Sequence, residues 1–143
     1  MPNWQELSTV SHYQTAVAVR DALIEGDKDN AMQGIEELID ALARSDRRAL
    51  RSHLIRLMQH IIKWQVQPEQ RSRSWLATIR NARSEIENLR QDTPSLTRNV
   101  IEEMWDTCFR AAINEAEGEM DRSAPTMRLS WEDVFDTEYN LDA

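Results

Sequence analysis

The sequence predicts an all-α fold: a single helical bundle of about five helices over residues 1–143, with an antiparallel hairpin of the third and fourth helices at its centre. Three observations carry that prediction. Apolar residues recur at three- and four-residue steps over long stretches, as one face of an α-helix requires. Only 3 Gly and 4 Pro occur in 143 residues, too little turn punctuation for a chain of short strands. That length is typical of one domain, and it can bury a sizeable core without disulfide or metal support.

Residues 1–8, which include Trp4, read as a lead-in that docks on the body. The first helix is expected from about Thr9 to Glu25, with Tyr13, Val17 and Ile24 inward and Gly26 placed to end it. Asp27 or Asp29 can cap the second, in which Met32, Ile35, Leu38, Ile39 and Leu42 recur at helical spacing and Glu36, Glu37 and Asp40 share the remainder. Ser45-Asp46 offers a restart point, although the helix can also run through it.

The third helix, roughly Asp46 to Val66, is apolar on two sides. Leu50, Leu54, Leu57, Ile61 and Trp64 form one stripe, and Ile55, Met58, Ile62 and Val66 form a second, more than about 100° away around the axis. Such a helix is either central in its bundle or pressed against another subunit, and the central position is the reading adopted.

Pro68 ends that helix by about Gln67, because proline pushes the preceding residue out of the α region. The fourth helix starts either with Pro68 in its first turn or with Ser72 or Ser74 as cap, and its inward face is Trp75, Ile79, Ala82, Ile86 and Leu89. Thr93-Pro94-Ser95 stops it and offers caps to a fifth helix carrying Val100, Ile101, Met104, Trp105, Cys108, Ala111 and Ala112 inward. Residues 119–143 form an irregular tail that includes Ser123-Ala124-Pro125. A capping box at Ser130-Trp-Glu-Asp133 predicts a short last helix, with Trp131, Val134 and Phe135 folded back on the bundle.

Charge is distributed unevenly. Arg44 to Arg90 hold 11 basic residues against 4 acidic, a net of +7, whereas the rest of the chain holds 6 against 21, a net of -15. The single cysteine, Cys108, excludes an internal disulfide and suits a reducing compartment. No basic-apolar leader and no apolar run near eighteen residues is present, so a cytoplasmic protein without membrane contact is expected.

Chemistry-bearing patterns are few. Gly26, Gly34 and Gly118 never cluster, which excludes a phosphate-cradling loop. None of His12, His53 and His60 has a Glu three residues before it, and no paired-cysteine spacing exists, so no metal, cofactor or catalytic set is expected. His53 and His60, seven apart, are read as boundary residues at a helix seam, the alternative being a proton-handling pair. Cys108, on an inward face, is read as an inert buried thiol.

The cations around Pro68 carry more information. Arg71 falls one turn before Trp75 and can lay its guanidinium over that indole. Arg73 and Arg80 point away from the core. With Lys63 and Arg83 they can bind an oxyanion or an acidic surface, pair with the chain's own Glu36, Glu37, Asp40, Glu102, Glu103 and Asp106, or simply be solvated.

The run K-W-Q-V-Q-P-E-Q-R-S-R-S-W-L-A-T-I-R-N-A-R from Lys63 to Arg83, followed by T-P-S-L, resembles the bacterial family catalogued as domain of unknown function twenty-nine. The upstream I-E-E-L and S-D-R-R-A-L extend the likeness, which spans about Tyr13 to Leu141. The resemblance implies an all-helical cytoplasmic bacterial protein and supplies no activity. Among the family's recurring positions Lys63, Gln67, Arg71 and Arg83 are the polar ones least explained by packing. Together with Arg73 and Arg80 they are the candidate binding residues.

The leading expectation for function is a non-enzymatic interaction or adaptor module. It would bind a protein or its own copy through its charged surface or the second stripe of the third helix. The alternatives are a nucleic-acid-associated protein working through residues 44–90, and a small enzyme using His53 or His60.

Overall fold

The computed structural model describes residues 2–124 and 127–142. Its elements are α1 (Trp4–Val10), α2 (His12–Ile24), α3 (Lys28–Val66), a 3-10 turn (Pro68–Gln70), α4 (Arg73–Asp92), α5 (Arg98–Met120) and a π-helical turn (Glu132–Asp136), with no strand among the described residues. The all-α prediction holds. They group into two compact units, Met1–Arg48 and Ala49–Ala143, with α3 supplying its first part to one and its remainder to the other.

In the first unit the expected lead-in is a helix. The Asn3 side chain accepts from the Glu6 amide to cap α1, and the Trp4 indole donates to buried Asn30 Oδ1 at 2.8 Å. Ser11, in an extended conformation, ends α1 and caps α2 by accepting from the Gln14 amide. The single helix expected from Thr9 is therefore two. Gly26 closes α2 at φ +84°, and Asp27 accepts from the Asn30 amide to start α3.

Which face of α2 turns inward differs from expectation. Thr15, Val19 and Ala22 are buried, and Tyr13 and Ile24 are 74% and 77% exposed. The reason is steric. A β-carbon on Gly34 would lie 2.7 Å from both the Trp4 ring and a Val19 methyl, so the helices meet closer than large side chains allow. Trp4, Val19, Ala22 and Ala31 form this small core, with Leu7, Ala18 and Ile35 against it. Met32, Ile39 and Leu42, expected inside, are exposed.

In the second unit the apolar pattern and the core agree. Leu50, Leu54, Leu57 and Ile61 of α3, Ile79 and Ile86 of α4, and Ile101, Cys108 and Ala112 of α5 enter one buried cluster. Met58 and Ile62, from the second stripe of α3, are fully enclosed in it too. Ile55 and Val66 of the same stripe are half-buried against it, so most of that stripe is occupied within the second unit. On α4 the buried residue of the first turn is Leu76, with Trp75 half-buried beside it.

Ser72, one of three candidates, caps α4 by accepting from the Trp75 amide, while Pro68 opens its own short turn. Thr97, two residues beyond Ser95, caps α5. Part of the expected irregular break, at Pro125 and Thr126, lies outside the described residues. Beyond it the capping box forms reciprocally: the Asp133 amide donates to Ser130 Oγ and the Ser130 amide to Asp133 Oδ2. Trp131 stacks on Trp105 at 5.8 Å, which folds this turn onto α5.

Candidate functional site

The last turn of α3 places Lys63 toward the protein rather than toward water. Its side chain is only 8% exposed, and burying an ammonium without a partner would be costly. Glu119, near the end of α5, meets Lys63 Nζ at 2.6 Å. Gln59, one turn earlier on α3, donates to the other carboxylate oxygen at 2.8 Å. The Trp75 ring covers the ammonium at 4.8 Å. The Lys63 hydrogen bond, above all, holds the Glu119 carboxyl below the usual carboxylate range. These groups border a cleft of about 330 Å³ lined by Lys63, Gln67, Gln70, Trp75, Glu119 and Met120.

Arg71 stands next to this cleft and stacks on a different indole from the one expected. Its guanidinium lies 4.9 Å from the Trp64 ring centroid, and its Nε donates to the Trp64 carbonyl at 2.8 Å. The reason is Pro68, which gives Arg71 an extended backbone after the 3-10 turn instead of a helical one before Trp75. Trp64 is 3% exposed and meets Tyr139 edge-on at 6.0 Å. Arg122 adds a bond to the Val66 carbonyl and an ion pair with Glu69, so carbonyls freed at the end of α3 are satisfied by side chains.

Arg83 does a separate job. It donates to the carbonyls of Val134 and Asp133 at 2.8 and 3.3 Å and covers the Tyr139 ring at 5.4 Å, which anchors the tail on α4. Tyr139 in turn donates to the Asp133 carbonyl. Arg73 and Arg80 are exposed and make no ion pair among the described residues. The six candidates thus divide three ways: Lys63, Gln67 and Arg71 at the corner, Arg83 under the tail, and Arg73 and Arg80 in solvent. Among the described residues, only Lys63 of the basic five meets a carboxylate. Arg71 and Arg83 bind backbone carbonyls, a sink for cations that counting acidic residues does not reveal.

Glu119 and Gln59 are what sequence reasoning missed. Gln59 shares a helical face with Lys63 and could have been found. Glu119 is one of many acids in its stretch and lies 56 residues from its partner.

His60 lies near enough to Lys63 and Glu119 to feel both charges, but it does not line this cleft. Its Nδ1 lies 2.9 Å from the Arg56 carbonyl, and His53 is not among the residues lining the cleft either. Burial, chiefly, pulls the His60 imidazole below its ordinary range. Cys108 is fully buried, and burial pushes its thiol up to about 11, so it stays protonated and unreactive at neutral pH. No group of His, Cys, Asp and Glu among the described residues could hold a metal ion. No helix there is long and apolar enough to cross a membrane.

No curated protein and no solved structure matches this chain. The family likeness, in contrast, is extensive. One family model covers residues 26–140, taking in the Pro68 corner, the Lys63-Glu119 pair and the Arg83 anchor, and on that match the chain belongs to the family described as domain of unknown function DUF29.

Proposed function

We propose that the protein is a non-enzymatic interaction module that binds a protein partner through the outer apolar face of residues 10–42. One observation carries the reading. Of the eight large hydrophobic residues exposed among the described residues, seven fall there: Val10, Tyr13, Leu23, Ile24, Met32, Ile39 and Leu42. So many exposed large apolar side chains within one small helical unit favour a surface that is covered in use. Three of the cationic candidates support the same reading from the other side, because Lys63, Arg71 and Arg83 are already engaged in holding the chain together. A reducing, cytoplasmic setting fits the lone buried thiol.

The test is a photo-reactive phenylalanine analogue placed singly at Ile24, Ile39 or Arg80 in cells. Ile24 and Ile39 should give protein adducts and Arg80 none; no adduct at either isoleucine removes the reading.

A second reading, nucleic-acid association through residues 44–90, is favoured by one feature. Arg44, Arg47, Arg48, Arg51, Arg56, Arg73 and Arg80 are all exposed and make no ion pair among the described residues. Phosphate contacts of that kind would make affinity fall steeply with ionic strength. Binding that is absent, or unchanged by salt, rejects it.

A further inference from the structure

A cleft between α4, the turn that follows it and the tail holds two arginines that no carboxylate neutralises. Arg83, Ile86 and Arg90 fall on one face of α4, because steps of three and seven residues return to nearly the same side of a helix. Pro94 and Leu96 form one wall and Phe135 the other, around a space of about 520 Å³. Each wall is tied to α4 by an arginine. Arg90 Nε donates to the Leu96 carbonyl at 2.9 Å, and Arg83 donates to the carbonyls of Val134 and Asp133, next to Phe135. Trp131 packs against the Phe135 ring at 4.4 Å and supports that wall from behind.

Those bonds position both guanidinium groups without balancing their charge. Both arginines are half-buried, and neither has a carboxylate within ion-pair distance among the described residues. The Arg90 bond engages Nε alone and leaves both terminal nitrogens without a hydrogen bond among the described residues. Burial, chiefly, pulls the Arg83 guanidinium below its ordinary range, with Tyr139 and Asp136 offsetting part of that. Glu87 also lines the cleft. It is spaced to pair with Arg83 or Arg90 along the helix, yet it is exposed and pairs with neither.

The lining therefore carries a net charge of +1, two arginines against one glutamate, beside apolar walls. A concave space of this size with apolar walls and a few fixed polar groups is the usual form of a small-molecule site. The free edge of a guanidinium matches the two oxygens of one carboxylate. One negative charge balances the lining, whereas a phosphate dianion would leave charge in excess beside Glu87.

We propose that this cleft binds a small organic monocarboxylate, with its carboxylate on the free edge of Arg90 and its short apolar body against Pro94, Leu96 and Phe135. The proposal goes beyond the interaction-module reading, since every lining residue lies in the second unit.

The test is isothermal titration calorimetry of the full chain with acetate, butanoate, hexanoate and hexanamide at fixed pH and ionic strength. Saturable binding of one acid per chain is expected, with affinity rising about two- to fourfold for each methylene added. Hexanamide, which lacks the charge, should bind about tenfold more weakly or worse. Arg90→Gln should weaken hexanoate binding by about tenfold or more, and Glu87→Gln should tighten it about threefold by removing a like charge. The gain in Glu87→Gln cannot come from a damaged fold, which would only weaken binding. Arg73→Gln, exposed at the far end of α4, should change nothing. In methyl NMR spectra the hexanoate shifts should fall at Ile86 and Leu96 and not at Ile24 or Ile39.

Absent or unsaturable binding, hexanamide equal to hexanoate, Arg90→Gln equal to the parent, or Glu87→Gln no tighter than the parent would each overturn the proposal. Shifts confined to Ile24 and Ile39 would overturn it too, by placing the acid on the outer apolar face of the first unit.

Discussion

The two units bury different kinds of side chain. In Ala49–Ala143 the enclosed residues are long aliphatics, Leu50, Leu54, Leu57, Ile61, Ile79 and Ile101 among them. In Met1–Arg48 they are mostly small, Ser8, Thr15, Val19, Ala22, Ala31 and Ala41 among them, with Val19, Ala22 and Ala31 clustered about the single indole of Trp4 and Gly34 against its ring, while Tyr13, Ile24, Met32 and Ile39 face out. A fully buried Leu or Ile contributes roughly 1.5–3 kcal/mol, and a buried Ala much less. The first unit therefore gains less from its core, and the apolar area it leaves uncovered is what a partner would take up.

That contrast is broken most severely from the strong side. Leu57→Ala should cost about 3 kcal/mol through the cavity left at a fully enclosed site, seen as a lower unfolding midpoint in denaturant. Arg83→Met should cost about 2 kcal/mol, since the carbonyls of Val134 and Asp133 lose a charged donor. Hydrogen exchange should then rise in residues 130–140 before it rises in α5.

On the weak side, Gly34→Ala forces a β-carbon against Trp4 and Val19. Overpacking costs about 1–3 kcal/mol, and roughly 1 kcal/mol returns as helix propensity. A net loss of about 1 kcal/mol should speed exchange in α2 and leave α4 unchanged.

Acidification should weaken the second unit in two steps. His60 is held below its ordinary pKa, so as pH falls through about 6.5 the unfolded chain takes up a proton that the folded one resists, and stability drops. Glu119 is also held low, so its contribution is complete above the ordinary carboxylate range and is lost as pH falls through its folded value. His60→Gln should flatten the upper step and Glu119→Gln the lower, both read from unfolding midpoints between pH 7 and pH 3. The smallest effect is expected at Arg80→Ala, within about 0.5 kcal/mol, because the side chain is exposed. A larger loss there would show that the outer face of α4 supports the fold.

Legibility in the sequence follows the range of the interaction. Gly26 ending α2, Asp27 starting α3, Ser72 capping α4 and the Ser130-Asp133 box were readable because each acts within three or four residues. Ser11 is equally local, but the helix expected from Thr9 ran through it. At the candidate site, Lys63, Gln67 and Arg71 were picked out by their place around Pro68. Their partners were not, since Glu119 and Arg122 arrive from the end of α5 and Arg83 finds carbonyls about fifty residues away.

By itself the sequence determined that the chain is helical, where most of its helices start and stop, and that the second half of α3 has two apolar stripes to hide. Those properties depend on backbone geometry and on how much apolar surface a stretch must hide. Only the tertiary structure decided which face of α2 and of the first half of α3 turns inward. That choice was made by shape: small residues let helices approach within reach of Trp4, and close contact there outweighed hiding the larger side chains.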